Sequence, residues 1–267
     1  MNIIKINDPA DPRLEPYCDI RERDLITRNK RFIAEGKVVL NVLLQSRDFQ
    51  AESVLILESR LAGMMATLAS AEQHLPIYVA DASVMNRTTG FSVHRGVLAI
   101  GKWRNDGPTP IMFGPDALVV VISGVSNHDN VGAIFRNAAA FQADAILLDE
   151  QSCDPLYRKA LRVSVGAVLK VPFLRDGTLN RIADRLIAKS FMLAALSPSG
   201  SQNITNMPKS GKRALILGSE GHGLPQSLLE RISAWSIPMA NDFDSLNVAT
   251  ASGIALFHAS AYSSVDA

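Results

Sequence analysis

Apolar and polar positions alternate along this chain in blocks that predict an α/β protein. In the C-terminal half, helical patterns separate short apolar runs at 118–122, 145–148, 168–173, 191–196, 214–217 and 235–239. Near-continuous apolar strands that alternate with helices are typical of a parallel sheet covered on both faces. The N-terminal part repeats the pattern on a smaller scale, with a helical periodicity over 25–44, strands at 53–57 and 76–80, and a helix at 61–71.

Proline and glycine positions divide the chain into segments. Pro9, Pro12 and Pro16 disfavour regular structure near the N-terminus, and 101–115 is rich in glycine and proline without a sustained apolar period. We therefore predict an extended arm at 1–20, a small α/β domain at 21–103, a linker at 104–116 and a larger α/β domain at 117–267.

Composition excludes only a few classes of protein. The chain has 267 residues, 47% of them hydrophobic, and a formal net charge of +1, which does not indicate a nucleic-acid partner. Cys18, Cys153 and the five histidines show no metal-ligand spacing, so we expect reduced thiols and no metal. No apolar stretch is long enough to span a membrane and the start lacks a secretory signal, so we expect a cytoplasmic protein without a membrane partner.

Two polar turns follow predicted strands in the larger domain. One carries Gly218, Gly221 and Gly223, and the other runs through 242–247. Ligands bind in open parallel sheets at the carboxyl ends of the strands, so the two turns are predicted to share one pocket. The glycine turn lacks both the Gly-Lys-Ser/Thr ending of a triphosphate site and the G-x-G-x-x-G spacing of a dinucleotide site. Because no Lys or Arg lies between Arg213 and Arg231, backbone and apolar groups are expected to hold the ligand, as they could hold an adenosine-like moiety.

Three segments, in this order, resemble the motifs of one enzyme family. They are Asn-Val-Gly-Ala-Ile-Phe-Arg-Asn-Ala at 130–138, Gly-Ser-Glu-Gly-His-Gly-Leu at 218–224, and Ile-Pro-Met at 237–239 followed by Ser-Leu-Asn-Val at 245–248. The chain thereby resembles the SpoU (TrmH-like) RNA 2′-O-ribose methyltransferases of the SPOUT superfamily, closely from residue 117 onward and loosely over 28–101. The resemblance implies a deep C-terminal trefoil knot, a rare exception among folds. It also implies an N-terminal RNA-binding domain that resembles a ribosomal-protein fold, S-adenosylmethionine as cofactor, and a homodimer with its active site across the subunit interface.

The resemblance implies catalytic roles for Arg136, with Asn130 helping to place it, and for Glu220, Ser245 and Asn247. A guanidinium stays protonated and has no lone pair to accept a proton. We therefore expect Arg136 to orient a phosphate and stabilise developing oxyanion charge, with the base left open. A surface or intersubunit salt bridge is the alternative for Arg136. Glu220 could instead bind backbone or cap the helix near residue 226, and Ser245 and Asn247 could cap the helix that follows.

The resemblance also places a cofactor pocket. Its lining is expected to include Leu196, Gly218, Glu220, Gly221, Ile237, Met239 and Leu246. One departure from the family pattern is Asn241, where glycine is frequent, and asparagine tolerates that turn. Basic residues form two groups that could contact RNA phosphates or be solvated helix faces: Arg28, Lys30 and Arg31, and then Arg158 and Arg162.

The sequence thus predicts methyl transfer from S-adenosylmethionine to a ribose 2′-hydroxyl of structured RNA, with ribosomal RNA favoured over transfer RNA. Three alternatives stay open. They are a catalytically silent knotted RNA-binding protein of ribosome assembly, a knotted enzyme that methylates a base, and a conventional nucleotide-binding enzyme.

Overall fold

The computed structural model describes residues 1–18, 30–90, 93, 95–105, 107–240 and 244–260. Its strands in chain order are β1 (Asn2–Lys5), β2 (Arg31–Glu35), β3 (Phe49–Leu57), β4 (Pro76–Ala80), β5 (Val97–Trp103), β6 (Leu118–Ile122), β7 (Ala145–Leu148), β8 (Phe173–Arg175), β9 (Met192–Leu196), β10 (Gln202–Asn203), β11 (Arg213–Leu217) and β12 (Ser233–Ser236). Its α-helices are α1 (Lys37–Leu44), α2 (Leu61–Leu68), α3 (Ala82–Thr89), α4 (His128–Ala140), α5 (Arg158–Val163), α6 (Leu179–Ala188), α7 (Gln226–Leu229) and α8 (Val248–Ala259).

The chain divides into two compact units. The first consists of Met1–Thr109 and Leu156–Lys170, and the second of Pro110–Pro155 and Val171–Ala267. The division at 109/110 lies inside the linker that the sequence predicts. The segment 156–170, which we had assigned to the larger domain, instead belongs to the first unit: α5 packs on β2, and Ser46 Oγ donates a hydrogen bond to the Leu169 carbonyl at 3.1 Å.

The first unit is built on a five-stranded mixed sheet of order β1-β4-β3-β5-β2. The N-terminal arm predicted as extended is wrong, because β1 pairs with β4 and a 3₁₀ helix follows at Pro12–Tyr17. Proline suits the first position of such a helix, and Asp11 caps it by accepting from Arg13 N at 2.9 Å. Leu14 and Tyr17 are fully buried, so this segment forms part of the core. Burial raises the pKa of Tyr17 although its hydroxyl bonds Ser53 Oγ.

The helical periodicity predicted over 25–44 is also partly wrong. Phe32 and Ile33 lie in β2, antiparallel to β5, and α1 begins only at Lys37. Gly36 separates the two elements with φ +90°, a conformation that side chains rarely adopt. Residues 25–29 of the predicted helix lie outside the described residues.

The second unit contains a seven-stranded sheet of order β10-β12-β9-β11-β6-β7-β8. Every strand pair in it is parallel, which confirms the predicted parallel α/β architecture. β6, β7, β9 and β11 lie within a residue of their predicted bounds. The predicted strand at 168–173 is wrong, because Ala167–Leu169 is a 3₁₀ helix after Gly166 (φ +82°) and β8 begins at Phe173. The strand predicted at 235–239 ends at Ser236, so residues 237–239 belong to the following loop.

β11 is a central strand of the second sheet, so the loop that follows it lies between the loops of its neighbours. The strand lies between β6 and β9, and all five of its residues are buried. Because the strands are parallel, the loops after β6, β7, β9, β11 and β12 leave from the same edge of the sheet. No helix within the described ranges is long and apolar enough to cross a membrane.

Candidate functional site

The carboxyl edge of the second sheet contains a cavity of about 500 Å³. It lies among the loops after β9, β11 and β12 and the start of α8. We refer to it as the first cavity; its lining includes Leu196, Ser197, Pro198, Leu217, Gly218, Ser219, Glu220, Gly221, His222, Gly223, Trp235, Ile237, Met239, Ser245, Leu246, Asn247, Val248 and Ala251. The two turns that the sequence predicts to share a pocket therefore both border this cavity. Asp242 and Phe243 of the second turn, and Asn241, lie outside the described residues.

The glycine loop, residues 218–223, forms one wall of the first cavity. It closes on itself, since Gly223 N donates to the Ser219 carbonyl at 3.0 Å and His222 N to Ser219 Oγ at 3.3 Å. A Cβ atom added at Gly218 would lie 2.6 Å from the carbonyl carbon of Gly223, whereas one at Gly221 would meet nothing within 4 Å. The tight turn therefore requires glycine at 218 for space.

Three polar side chains from three elements form a network beside this loop. Asn130 Nδ2 in α4 donates to Glu220 Oε1 at 2.7 Å. Asn247 Nδ2 donates to Glu220 Oε1 at 2.8 Å and to Asn130 Oδ1 at 3.0 Å. We call these side chains the amide–carboxylate network. It fixes one oxygen of Glu220 and leaves Oε2 without a hydrogen bond within the part of the chain that the structure describes.

Asn247 also caps α8. Its Oδ1 accepts from Ala249 N at 2.9 Å and Thr250 N at 3.2 Å, so the helix-cap interpretation of Asn247 is confirmed, while its Nδ2 belongs to the network. The α4 cap is Asn127, which accepts from Asp129 N at 2.8 Å, and Asn130 lies one turn inside the helix. Ser245 borders the first cavity and is exposed. Glu220 does not cap α7, whose N-cap residue is Pro225 and which has no side-chain cap.

Arg136 lies apart from the cavity that its motif was expected to serve. It is exposed on α4, does not line the first cavity, and makes no hydrogen bond or ion pair with any residue that the structure describes. Arg136 follows Asn130 by six positions in the α-helix, so the two side chains leave the helix about 120° apart. Because Asn130 faces Glu220 of its own chain, Arg136 points to a different side of α4.

Around Arg136, helices α4 and α8 pack closely. Asn137 Nδ2 donates to the Ala249 carbonyl at 2.8 Å and to Ser252 Oγ at 2.9 Å, and Phe141 meets Phe257 edge-on. Phe257 remains 53% exposed at the outer end of this helix pair. The exposed Phe257 and Arg136 therefore belong to one pair of packed helices.

The predicted RNA contacts differ in their surroundings. Arg31 bonds Glu52, which also pairs with Lys102 Nζ at 2.8 Å. Burial opposes the ionisation of Glu52, but the bonds from Arg31 and Lys102 outweigh it and lower its pKa. Lys30 is exposed. Arg158 and Arg162 lie 3.7 and 3.8 Å from Glu35 Oε2, and Arg28 lies outside the described residues.

The arginines at Glu35 belong to a larger basic cluster at one edge of the first sheet. Arg95 extends over Gly36, the neighbour of Glu35, and Arg60 lies against Gly96. Lys37 follows Gly36 and donates to the Gly63 carbonyl at 3.0 Å. We call Lys37, Arg60, Arg95, Arg158 and Arg162 the basic cluster. Sequence reasoning did not group these five residues, because they come from separate elements that only the fold brings together.

Comparison with known proteins identifies the family. The profile of the SpoU rRNA Methylase family matches residues 117–257. The chain belongs to this family. It is thus a methyltransferase, and the resemblance carried by its three motifs is confirmed.

Relatives of the SpoU chain align over nearly its full length. An uncharacterized tRNA/rRNA methyltransferase of Mycobacterium tuberculosis is 37% identical over 96% of this chain and 91% of the relative. The 23S rRNA (guanosine-2′-O-)-methyltransferase RlmB of Escherichia coli K12 is 28% identical over 84% of this chain and 96% of its own length.

Solved structures share the fold. An AdoMet-bound rRNA methyltransferase from Sinorhizobium meliloti matches with a TM-score of 0.80 and 23% identity, covering 96% of this chain and 97% of that one. An RNA 2′-O ribose methyltransferase matches with a TM-score of 0.81 and 24% identity, covering 96% and 98%. At this identity the match shows a shared fold.

Proposed function

We propose that this chain transfers a methyl group from S-adenosylmethionine to a ribose 2′-hydroxyl of structured ribosomal RNA. The observation that carries the proposal is the amide–carboxylate network, which joins all three family motifs at the edge of one cavity. Support for the RNA class comes from the family profile and from the relative named as a 23S rRNA 2′-O-methyltransferase.

The first cavity suits S-adenosylmethionine. Its volume falls in the usual range for small-molecule sites, and apolar side chains form much of the lining, among them Leu196, Ile237, Met239 and Leu246. No Lys or Arg is among the described residues that border it, so a triphosphate is a poor match. The indole N–H of Trp235 is buried without an acceptor among the described residues, a donor that a polar atom of a ligand could satisfy. S-adenosylmethionine, when bound there, supplies a methyl group on a positively charged sulfur.

We assign the remaining chemical roles to residues of the chain itself. Methylation of a hydroxyl requires that its proton leave as the new C–O bond forms, and Glu220 Oε2 is a carboxylate oxygen that the network leaves free to accept it. Asn130 and Asn247 hold the other oxygen and so fix the plane of the carboxylate. Arg136 remains protonated, and its role is to bind the adjacent phosphate and stabilise negative charge at the attacking oxygen.

Arg136 is supplied by a second copy of the chain in this proposal. Its exposure, its lack of a described partner and its direction on α4 all support an encounter with another subunit. A C2 dimer that packs α4 and α8 of both copies would also cover Phe257, whose exposure is otherwise costly. The trefoil knot and the ribosomal-protein-like fold of the first unit, both implied by the resemblance, remain part of the proposal.

The basic cluster is proposed as the RNA-phosphate surface of the first unit. Two of its arginines, Arg158 and Arg162, lie within 4 Å of the carboxylate of Glu35, which is only 5% exposed. Arg60 and Arg95 are exposed and have no ion pair within the described ranges, so their charges are available to phosphates. Arg31 is a poorer candidate because Glu52 already binds it.

The basic cluster predicts a specific salt dependence. Replacing both Arg60 and Arg95 by glutamine should weaken RNA binding without regard to sequence and reduce the slope of log K against log salt by about one per lost phosphate contact. Filter binding or fluorescence anisotropy over a salt series measures this slope. Arg31→Gln is the matched control and should leave it unchanged; a larger change for Arg31→Gln than for the double variant would move the surface elsewhere.

The proposed reaction is tested with labelled methyl. Transfer from labelled S-adenosylmethionine to bulk ribosomal RNA from cells that lack the protein should give label in alkali-resistant dinucleotides, because a 2′-O-methyl group blocks alkaline cleavage at that position. Label in mononucleotides would instead establish a base methylase. Label only in transfer RNA would correct the RNA class, and absence of S-adenosylmethionine binding would support the silent RNA-binding alternative.

A further inference from the structure

A second cavity of about 490 Å³ opens on the other side of the glycine loop. It shares Ser219–Gly223 with the first cavity and is otherwise bounded by the loops that follow β6 and β7. Its lining consists of Ser123, Gly124, Val125, Ser126, Asn127, Gln151, Ser219, Glu220, Gly221, His222, Gly223 and Pro225. The reaction as proposed above leaves this cavity without a ligand.

The floor of the second cavity is held by a buried carboxylate. Asp149, 3% exposed at the end of β7, accepts from Ser123 Oγ at 2.7 Å, Gly124 N at 3.1 Å and both Ser152 N and Ser152 Oγ at 2.9 and 2.7 Å. These bonds fasten the loop after β6 to the loop after β7. Hydrogen bonds to a buried carboxylate are strong, so the cavity is preformed.

Its walls are polar but almost without charge. Ser126 and Gln151 are exposed and make no hydrogen bond with any residue that the structure describes. Asn127 uses Oδ1 to cap α4, which leaves its Nδ2 donor for a ligand. Free amide and hydroxyl groups of this kind bind the edges of nucleobases.

A phosphate fits these walls poorly. No Lys or Arg borders the second cavity within the described ranges, and the carboxylate of Glu220 faces it. Asp129 adds a negative charge in the first turn of α4, where an anion would otherwise be attracted. A neutral ligand with several hydrogen-bonding atoms is therefore favoured over an anion.

We propose that the second cavity receives the base of the nucleotide whose ribose is methylated, which makes Gln151 and Asn127 determinants of base specificity. This inference rests on the proposed function, because only then does a ribose lie at the glycine loop that both cavities share. A ribose at Glu220, in the common wall, leaves its base beside the second cavity. The target is then an unpaired nucleotide, since a base enters such a cavity only when it leaves its stack.

The test compares variants on RNAs that differ at one base. After the methylated nucleotide is mapped in ribosomal RNA, transcripts are made with each of the four bases at that position. For Gln151→Ala and for Asn127→Asp, which keeps a capping oxygen, kcat/KM on the native-base transcript should fall about tenfold or more. On the other transcripts it should fall much less, with an unchanged Kd for S-adenosylmethionine. Gln202→Ala removes an exposed glutamine of the edge strand β10, outside both cavities. It is the control and should behave as wild type.

The outcomes separate the two proposals. Wild-type 2′-O-methylation with equal losses on all four transcripts, or with no loss, would overturn the base cavity alone. If the wild-type protein transferred methyl to no RNA, both the proposed function and the base cavity would be refuted. If Gln151→Ala or Asn127→Asp unfolds at a lower temperature, Gln151→Glu is used instead, because it exchanges an amide for a carboxylate of the same shape. An altered order of base preference would then support the proposal, and an unaltered order would refute it.

Discussion

Replacement of Arg136 by alanine should lower kcat for methyl transfer at least about 100-fold, the usual effect of removing a donor that stabilises oxyanion charge. The Kd for S-adenosylmethionine should stay near the wild-type value, because Arg136 does not line the first cavity. Steady-state transfer of labelled methyl at saturating RNA and S-adenosylmethionine measures the first quantity and equilibrium dialysis the second. Simultaneous loss of transfer and cofactor binding would contradict this division of roles.

Two companion variants sharpen the Arg136 experiment. Arg136→Lys keeps the positive charge but loses the planar fork that binds a phosphate through two N–H groups, so most of the defect should remain. Arg181→Ala removes another exposed helical arginine of the same unit and should have wild-type activity. Because Arg136 has no partner among the described residues, its removal should change the free energy of unfolding by less than about 0.5 kcal/mol.

The fold was predictable where local pattern and tertiary packing agree. The apolar runs of β6, β7 and β11 are buried on both faces of a parallel sheet, so the sequence alone indicates their bounds. Prediction failed where a local signal had two solutions. Phe32 and Ile33, together with Val39 and Leu40, mimic a helical period although Gly36 divides a strand from a helix. The prolines near the N-terminus similarly indicated an extended arm where a buried 3₁₀ helix forms.

Long-range association was beyond any local pattern. Residues 156–170 lie in sequence between β7 and β8 of the second sheet. Nothing in their sequence indicates that they pack instead with β2 and α1 of the first unit. The same limit applies to the basic cluster, because Arg60, Arg95 and Arg158 are distant along the chain.

For the candidate site, too, the sequence predicted some features and only the structure shows the others. The order of the motifs placed Asn130, Glu220 and Asn247 in one family pattern, but their mutual hydrogen bonds depend on how α4, the glycine loop and α8 meet. The sequence analysis did not predict the second cavity, although its loops also follow parallel strands. A polar loop at the carboxyl end of a strand was taken to indicate a ligand site after β11 and β12, but the same position after β6 and β7 was not. Gln151 and Asn127 carry no motif of their own, so only the cavity draws attention to them.

Replacement of Gly218 by alanine should weaken S-adenosylmethionine binding by roughly 5- to 150-fold, the equivalent of the 1–3 kcal/mol that overpacking costs. The added Cβ would lie 2.6 Å from a backbone carbon of Gly223, so the loop must shift and distort the first cavity. Gly221→Ala is the matched control in the same loop, because its Cβ has open space. Isothermal titration with S-adenosylmethionine compares the two, and thermal unfolding without ligand checks that both variants fold. Equal affinities would mean that the glycine loop is not a wall of the cofactor site.

The Gly218→Ala and Arg136→Ala proteins together test whether the active site spans two subunits. In a mixed dimer, the cavity of the Arg136→Ala copy is intact and receives Arg136 from the Gly218→Ala copy. Random pairing makes about half of the dimers mixed with one complete site each, so mixing after mild dissociation should restore about a quarter of wild-type transfer. If Arg136 instead serves the cavity of its own chain, neither copy has a complete site and mixing restores nothing. The assay uses an S-adenosylmethionine concentration well below the Kd of the Gly218→Ala protein, so that neither variant alone transfers methyl at an appreciable rate. Activity recovered on mixing then comes from a site that both subunits build.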